Sequence, residues 1–160
     1  MMKDFETGSS PADATDQVSA SRVILASQRT LFRVFLDAET FGAWRAPAGL
    51  AARFERFEAG AGGGYRMRLI PERADDGQGA GASVAIEARF LEFLPDETVV
   101  EAIRIDSGTD APPTEVLLTT LFEPAREGTK VTLRATPAPT PAERRAALLS
   151  SLRALAALTE

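Results

Sequence analysis

The chain has 160 residues, of which 44% are hydrophobic and 26% are charged, and its formal net charge is −5. This length suffices for one domain with a sizeable core and is too short for two. The acidic balance argues against a nucleic-acid-binding surface, which needs a basic stripe. The apolar runs are too short to span a membrane, and the N-terminus has no signal-peptide pattern. We therefore expect a cytoplasmic protein that binds neither nucleic acid nor membrane.

The sequence contains neither cysteine nor histidine. Without cysteine there are no disulfides, no thiolate metal sites and no cysteine nucleophiles. Without histidine the chain lacks the commonest general base and the commonest metal ligand near neutral pH. Any chemistry must therefore use carboxylates, arginines, the two lysines, the single tyrosine Tyr65 or hydroxyls. We expect no metal site and no tightly held cofactor, and we assign no catalytic residues.

The N-terminal segment differs in composition from the rest of the chain. Residues 1–16 have few large apolar side chains, and they include the run Gly8-Ser9-Ser10-Pro11. Such a composition predicts a flexible leader, followed by a single domain over residues 17–160. Alternating β-branched residues over 17–26 then predict a first strand.

Two short helices are expected after this strand. Ser27 is a favourable N-cap, because its hydroxyl accepts a hydrogen bond from a free backbone N–H group. Apolar residues at helical spacing follow as far as about Asp37. A second short helix is expected to end at Trp44, because the residue before Pro47 avoids helical backbone angles.

From Leu50 onward the hydrophobic period changes to that of strands. The predicted strands cover residues 50–58, 65–70, 83–94, 98–105, 114–122 and 129–135. The Gly62-Gly63-Gly64 run joins two strands and opens no helix, so it is a turn rather than a phosphate-binding loop. A second glycine-rich turn is expected over residues 75–81. Consecutive strands without intervening helices predict an antiparallel meander.

A long helix is predicted at the C-terminus. Thr140 is its expected N-cap and Pro141 its first residue. Leucines at positions 148, 152 and 155 form one apolar stripe. The sequence thus predicts an α+β fold with an antiparallel sheet of six or seven strands, two short helices after the first strand and a long C-terminal helix.

Several short motifs, in this order and spacing, resemble a known family. They are Val34-Phe35, Trp44 followed by Pro47, Glu58 before Gly62-Gly63 and Tyr65, the run Phe90-Leu91-Glu92-Phe93-Leu94-Pro95, and the run from Glu127 to Leu133. Over residues 18–158 they resemble the activator of heat-shock-protein-90 ATPase homologue-like family of the START-like (SRPBCC, birch-pollen-allergen) superfamily. This resemblance implies a helix-grip fold whose concave sheet face and last helix enclose a cavity. The chain departs from the family pattern at Gly60, where an arginine is usual, and it lacks the usual Gly-Trp pair of the last helix.

The residues expected to line this cavity are apolar or aromatic. They are Tyr65, Met67, Leu69, Phe90, Leu148, Leu152 and Leu155. For each of them, ordinary packing in a core without a cavity is the alternative. Tyr65 is suited to orienting a polar ligand group, and the alternative is a strand tyrosine whose hydroxyl reaches water at the sheet rim. Trp44, near the expected cavity mouth, is either a ligand contact or a structural plug.

Two charged residues fall on neighbouring predicted strands. Glu92 and Arg104 are candidates to meet across the sheet, and an inward-facing pair would mark a ligand-binding site. The alternative is a solvated cross-strand pair on the outer face.

These observations favour a non-catalytic domain, monomeric or homodimeric, that binds a small apolar or amphipathic molecule. One rival is a polyketide-cyclase-like enzyme that uses Glu92 or Tyr65 inside the cavity. The other rival is a chaperone-type regulator, which would bind a partner through an exposed apolar patch.

Overall fold

The computed structural model describes residues 17–47, 49–72, 84–108, 112–137 and 140–160. It contains one seven-stranded antiparallel sheet, short helices after the first strand and a 19-residue C-terminal helix. The predicted α+β helix-grip architecture is therefore confirmed. The predicted leader over residues 1–16 and the predicted turn over residues 75–81 lie outside the described residues.

The strands form an antiparallel meander, and the first strand pairs with the last strand at one edge of the sheet. In chain order they are β1 (Val18–Ile24), β2 (Leu50–Glu58), β3 (Gly64–Pro71), β4 (Val84–Leu94), β5 (Thr98–Asp106), β6 (Thr114–Ala125) and β7 (Gly128–Thr136). Their order in the sheet is β1-β7-β6-β5-β4-β3-β2. Each predicted strand is present, and the ends differ from the prediction by up to three residues.

The helices begin close to the predicted residues. They are α1 (Gln28–Phe32), α2 (Ala38–Arg45) and α3 (Pro141–Thr159), with a 3₁₀ turn over Arg33–Phe35 after α1. Ser27 caps α1 as predicted, because its Oγ accepts a hydrogen bond of 3.1 Å from the Thr30 backbone N–H. No described helix is long and apolar enough to cross a membrane.

Two helix caps differ from the prediction. Asp37, expected near the end of the first helix, instead caps α2 by accepting a 3.0 Å hydrogen bond from the Thr40 backbone N–H. This bond and a second from the Thr40 hydroxyl lower the pKa of the Asp37 carboxyl. Thr140 precedes α3, but its side chain makes no capping hydrogen bond. Pro141, the first residue of α3, has no backbone N–H group. One of the N–H groups that a cap would otherwise satisfy is therefore absent.

Helix α3 lies against one edge of the sheet. Its buried face comprises Leu148, Leu152, Leu155 and Ala156. It packs mainly against β1 and α2, and less extensively against β7. The concave face of the central strands is therefore not filled by this helix.

One end of the core is built from aromatic rings, which we call the aromatic cluster. Its members are Phe32, Phe35, Phe41, Trp44, Phe54, Phe57, Tyr65, Phe90, Phe93 and Phe122. Neighbouring ring centroids lie 4.9–6.4 Å apart, and many pairs are T-shaped. This geometry is the favourable one for aromatic pairs, because the positive ring edge meets the negative ring face. The cluster joins α1 and α2 to strands β2, β3, β4 and β6.

The glycine run between β2 and β3 is a turn, as predicted. Gly62 has a φ of +85°, which favours glycine over other residues. Its N–H donates to the Phe90 carbonyl, and the Phe90 N–H donates to the Gly63 carbonyl, both at 2.9 Å. A Cβ atom at Gly64 would collide with the Ala88 carbonyl oxygen. These contacts fix the turn against β4.

The fold predicts that α3 is needed for stability. Leu152 is fully buried, so Leu152→Ala should lower the free energy of unfolding by about 2–5 kcal/mol. Leu149 is 39% exposed on the same helix, and Leu149→Ala should change it by less than about 0.5 kcal/mol. Urea denaturation of both variants measures the difference. Equal midpoints for the two variants would mean that the sheet does not hold this helix.

Candidate functional site

A cavity of about 1050 Å³ lies between the concave sheet face, α2 and α3. Its lining is mostly apolar and comes from the strands and from the two helices. The strands contribute Met67, Leu69, Val84, Ile86, Ile103, Ile105, Val116, Leu118 and Ala135, among others. Small-molecule pockets span about 300–1,000 Å³, so this volume is at the upper end of their range. Ala43 on α2 and Ala147 on α3 are exposed lining residues. Other exposed lining residues lie in the segment that follows α2, at Pro47 and Gly49. The cavity is therefore open to solvent.

Small side chains on α3 leave this space open. Ala147, Ser151 and Ala154 line the cavity at positions where larger residues would project into it. The helix rests on β1 and α2, so the gap faces the central strands. These small side chains therefore leave room for a ligand between α3 and the sheet.

A carboxylate is buried beside the cavity. Glu101 on β5 has no exposed surface. Its Oε2 accepts a hydrogen bond of 2.8 Å from Arg45 Nη1, and its Oε1 accepts one of 2.8 Å from the Tyr65 hydroxyl. We call these three residues the Glu101 network. Both carboxylate oxygens are engaged, as a buried charge requires.

Arg45 is the last residue of α2, and its side chain is only 9% exposed. Its guanidinium carbon lies 4.7 Å from the Phe41 ring centroid and 5.1 Å from that of Trp44. Burial by itself lowers the pKa of Arg45, but the adjacent Glu101 carboxylate raises it overall. The guanidinium therefore stays charged, and the two rings hold it in position.

Tyr65 is fully buried on β3. Burial, and secondly the negative charge of Glu101, raises the pKa of the Tyr65 hydroxyl well above its usual value of 10.0. The hydroxyl therefore keeps its proton and donates a hydrogen bond to Glu101. Toward a ligand it can act only as a hydrogen-bond acceptor. The sequence allowed a position at the wet rim of the sheet, and the structure contradicts that alternative.

The residues predicted to line the cavity fall into two groups. Those that line it are Trp44, Tyr65, Met67, Leu69 and Leu148. Those that are buried in the packed core and do not line it are Phe90, Leu152 and Leu155. Phe90 belongs to the aromatic cluster, which fills its end of the domain.

The structure does not bring Glu92 and Arg104 together. Glu92 pairs in register with Val100, and both charged residues are exposed. Arg104 lies opposite Glu87 on β4 and opposite Glu115 on β6. Arg104 is therefore solvated on the outer face, as the alternative stated, but the residues opposite it are Glu87 and Glu115 rather than Glu92.

A β-bulge explains the position of Glu92. The register of β4 against β5 shifts between Phe90 and Glu92. Without the bulge, Glu92 would share the inward face of Phe90, because side chains alternate along a strand. The extra residue Leu91 turns Glu92 outward and returns Phe93 to the inner face.

The sequence reasoning missed Glu101 and Arg45. The signal for Glu101 was its position in β5, between Val99 and Ile103 on the apolar inward face. A charged residue in such an alternating pattern indicates a buried, partnered group. No comparable pattern identified Arg45, because α2 is too short to show a clear apolar stripe.

Trp44 is 1% exposed, and its indole N–H has no acceptor among the described residues. Its ring is T-shaped against Phe35 and Phe41, at centroid distances of 5.5 and 5.9 Å. An aromatic face is a weak acceptor for such an N–H group. Trp44 is thus packed in the core and also lines the cavity. The sequence had offered these two positions, structural plug and ligand contact, as alternatives.

The described residues contain no group of three or more acidic side chains that could hold a metal ion. The ionisable chemistry at the cavity therefore consists of the Glu101 network and of exposed or half-buried charges on the helices and at Glu72.

Comparisons with known proteins add family and fold. The sequence model of the family described as "Activator of Hsp90 ATPase homolog 1-like protein" matches residues 25–160. No curated protein matches the chain. The fold is similar to that of CV1439 from Chromobacterium violaceum, with a TM-score of 0.76, 24% identity and coverage of 91% of this chain and 98% of that chain. It is also similar to Mll3558 from Rhizobium loti, with a TM-score of 0.72, 26% identity and coverage of 89% and 95%.

The buried Tyr65 hydroxyl predicts an unusual alkaline titration. Tyr65 is the single tyrosine, so phenolate absorbance reports it alone. The unfolded chain loses this proton near pH 10.0, whereas the folded chain retains it above that pH. Folding stability should therefore fall as the pH rises above about 10, because the unfolded state then binds fewer protons. In the native protein, phenolate absorbance should appear only together with loss of circular dichroism. Ionisation near pH 10 with an intact fold would contradict the burial, and urea-unfolded protein provides the control.

Proposed function

The chain belongs to the activator of Hsp90 ATPase homolog 1-like family, and from that premise we propose that it is a non-catalytic domain that binds a small apolar or amphipathic molecule. The family name describes a co-chaperone activity of another protein. The properties of the cavity in this chain support a different function, which is ligand storage, transport or sensing.

The cavity itself is the observation that carries this proposal. It is large enough for a ligand of drug or lipid-tail size, and exposed lining residues on α2 and α3 show that it is open to solvent. Its strand-derived wall is mostly aliphatic, and its few polar groups are concentrated at the Glu101 network and on the helices. An apolar wall with a small number of placed polar groups is typical of small-molecule binding sites.

The Glu101 network favours binding over catalysis. A general base needs an oxygen that is free to accept a proton from the substrate. Both Glu101 oxygens already accept hydrogen bonds, and the Tyr65 hydroxyl retains its own proton. Neither group is therefore poised to activate water or a nucleophile.

A fluorescent apolar probe tests the proposal. N-phenylnaphthylamine should bind in the cavity, with enhanced fluorescence and a change in emission from Trp44, the single tryptophan. Bound ligand also stabilises the fold, by about 2.7 kcal/mol when its free concentration is a hundredfold above Kd. The melting temperature should therefore rise with probe concentration.

Two variants of β6 locate the binding. Val116 lines the cavity, so Val116→Phe should reduce its volume and weaken probe binding at least about tenfold, as lost fit of this size does. The next residue, Leu117, is 42% exposed on the opposite face, and Leu117→Phe should leave binding unchanged. Equal binding by the two variants, or no binding by the wild type, would refute the proposal.

A further inference from the structure

Resting on the proposed binding function, we propose that the cavity selects an apolar molecule with a neutral carbonyl group, whose oxygen accepts hydrogen bonds from Arg45. The same geometry disfavours a carboxylate in that position, because Glu101 already neutralises the guanidinium.

The first observation is that Arg45 has donors to spare. A guanidinium group carries several N–H donors in a fixed plane. Nη1 donates to Glu101, and the Tyr65 hydroxyl oxygen is a second neighbouring acceptor, so these two residues do not use all of the donors. The side chain is more than nine-tenths buried and lines the cavity. None of its nitrogens is among the buried side-chain donors of the described residues that lack a partner, so the N–H groups not bonded to Glu101 can be reached from the open cavity. A ligand oxygen there can accept a hydrogen bond from this charged donor.

The second observation is that this donor is held rigidly. Nη1 is fixed by Glu101, and the guanidinium lies against the Phe41 and Trp44 rings. A cation held in this way does not need to reorganise when a ligand binds, so less conformational entropy is lost. Tyr65 contributes by fixing the other oxygen of Glu101.

The third observation concerns charge. Arg45 and Glu101 form a neutral pair at 2.8 Å. Besides Arg45, the charged residues that line the cavity are Arg144, Arg153, Glu39 and Glu72. The two positive and two negative charges of these four residues cancel. A carboxylate bound at Arg45 would place a second negative charge near Glu101, inside a poorly solvated wall, and like charges at short distance oppose this. A ketone, ester or lactone oxygen accepts the same hydrogen bonds without adding charge.

The apolar body of such a ligand has a matching surface. Met67, Leu69, Ile86, Ile103 and Leu118 extend the cavity along the sheet from Tyr65. The proposed ligand therefore places its carbonyl at Arg45 and its hydrocarbon part along these side chains.

Calorimetric titration with methyl octyl ketone, decanoate and decane tests this selection. These probes share chain length and differ in the polar group. The wild type should bind the ketone at least about tenfold more tightly than decanoate, because only decanoate brings a second negative charge next to Glu101 in a poorly solvated wall. Equal or tighter binding of decanoate would overturn the proposal. Failure of all three probes would contradict the proposed binding function as well.

Substitutions of the Glu101 network sharpen the test. Glu101→Gln removes the neutralising charge, so decanoate should gain at least about tenfold relative to the ketone and the order should reverse. Tyr65→Phe keeps the ion pair and should leave the order unchanged. An unchanged ratio in Glu101→Gln would contradict the role given to this carboxylate.

A double substitution covers the case in which Glu101→Gln does not fold. Arg45→Met combined with Glu101→Leu replaces the whole ion pair by apolar residues, a change that folded proteins generally tolerate. This variant should still bind decane and should lose the preference for ketone over decane that the wild type shows. Retention of the full ketone preference would show that Arg45 does not bind the carbonyl.

Discussion

The feature on which the site depends is a carboxylate with no access to water. The Glu101 carboxylate can be buried because Arg45 and Tyr65 replace its hydration shell, one at each oxygen. These bonds connect the end of α2 to β3 and β5, and so fix the helix that forms one side of the cavity mouth. Removal of one partner of such a pair typically destabilises a fold by about 3–5 kcal/mol, because a buried charge is left alone.

The same pair adds little net stability. Apolar residues of similar volume often stabilise a fold equally well or better than a buried ion pair. Stability alone therefore gives no reason for an arginine and a glutamate in this position. A polar group held rigidly beside an apolar cavity has a clear use in recognition, because a ligand that lacks the matching group leaves the donor unpaired.

The domain divides its core between packing and binding. The aromatic cluster fills the end next to α1 and α2 with rings in favourable contact. At the other end, the small residues of α3 leave the aliphatic face of the sheet uncovered. Trp44, Phe54 and Tyr65 belong to both parts, so the rigid cluster forms the boundary of the cavity. A site supported in this way is held in shape before the ligand arrives.

The strands and helices could be predicted because their signals are local, whereas the helix-grip arrangement was predicted from the family resemblance. Alternation, turn residues and the Ser27 cap identify strands and helices without knowledge of their neighbours. The same alternation correctly placed Met67 and Leu69 on the inner face. It failed at Glu92, because the bulge at Leu91 changes the face by one residue and leaves no clear mark in the sequence.

Long-range packing was the second limit. The leucine stripe of α3 shows which face is buried, but not that Leu148 borders a cavity while Leu152 and Leu155 are packed. The Arg45–Glu101 contact joins residues that are 56 positions apart, and neither strand nor helix periodicity links them. Such pairs become visible only when the tertiary fold brings the elements together.

The infrared carbonyl band of isotope-labelled methyl octyl ketone, bound to the protein, tests the central claim most directly. A hydrogen bond from a buried guanidinium polarises the C=O bond and lowers its stretching frequency, and low dielectric strengthens the effect. The account predicts a lower frequency in the wild type than in hexane, and a return toward the hexane value when Arg45→Met is combined with Glu101→Leu. A frequency in the wild type equal to that in hexane would contradict the claim that the Glu101 network presents a donor to the cavity.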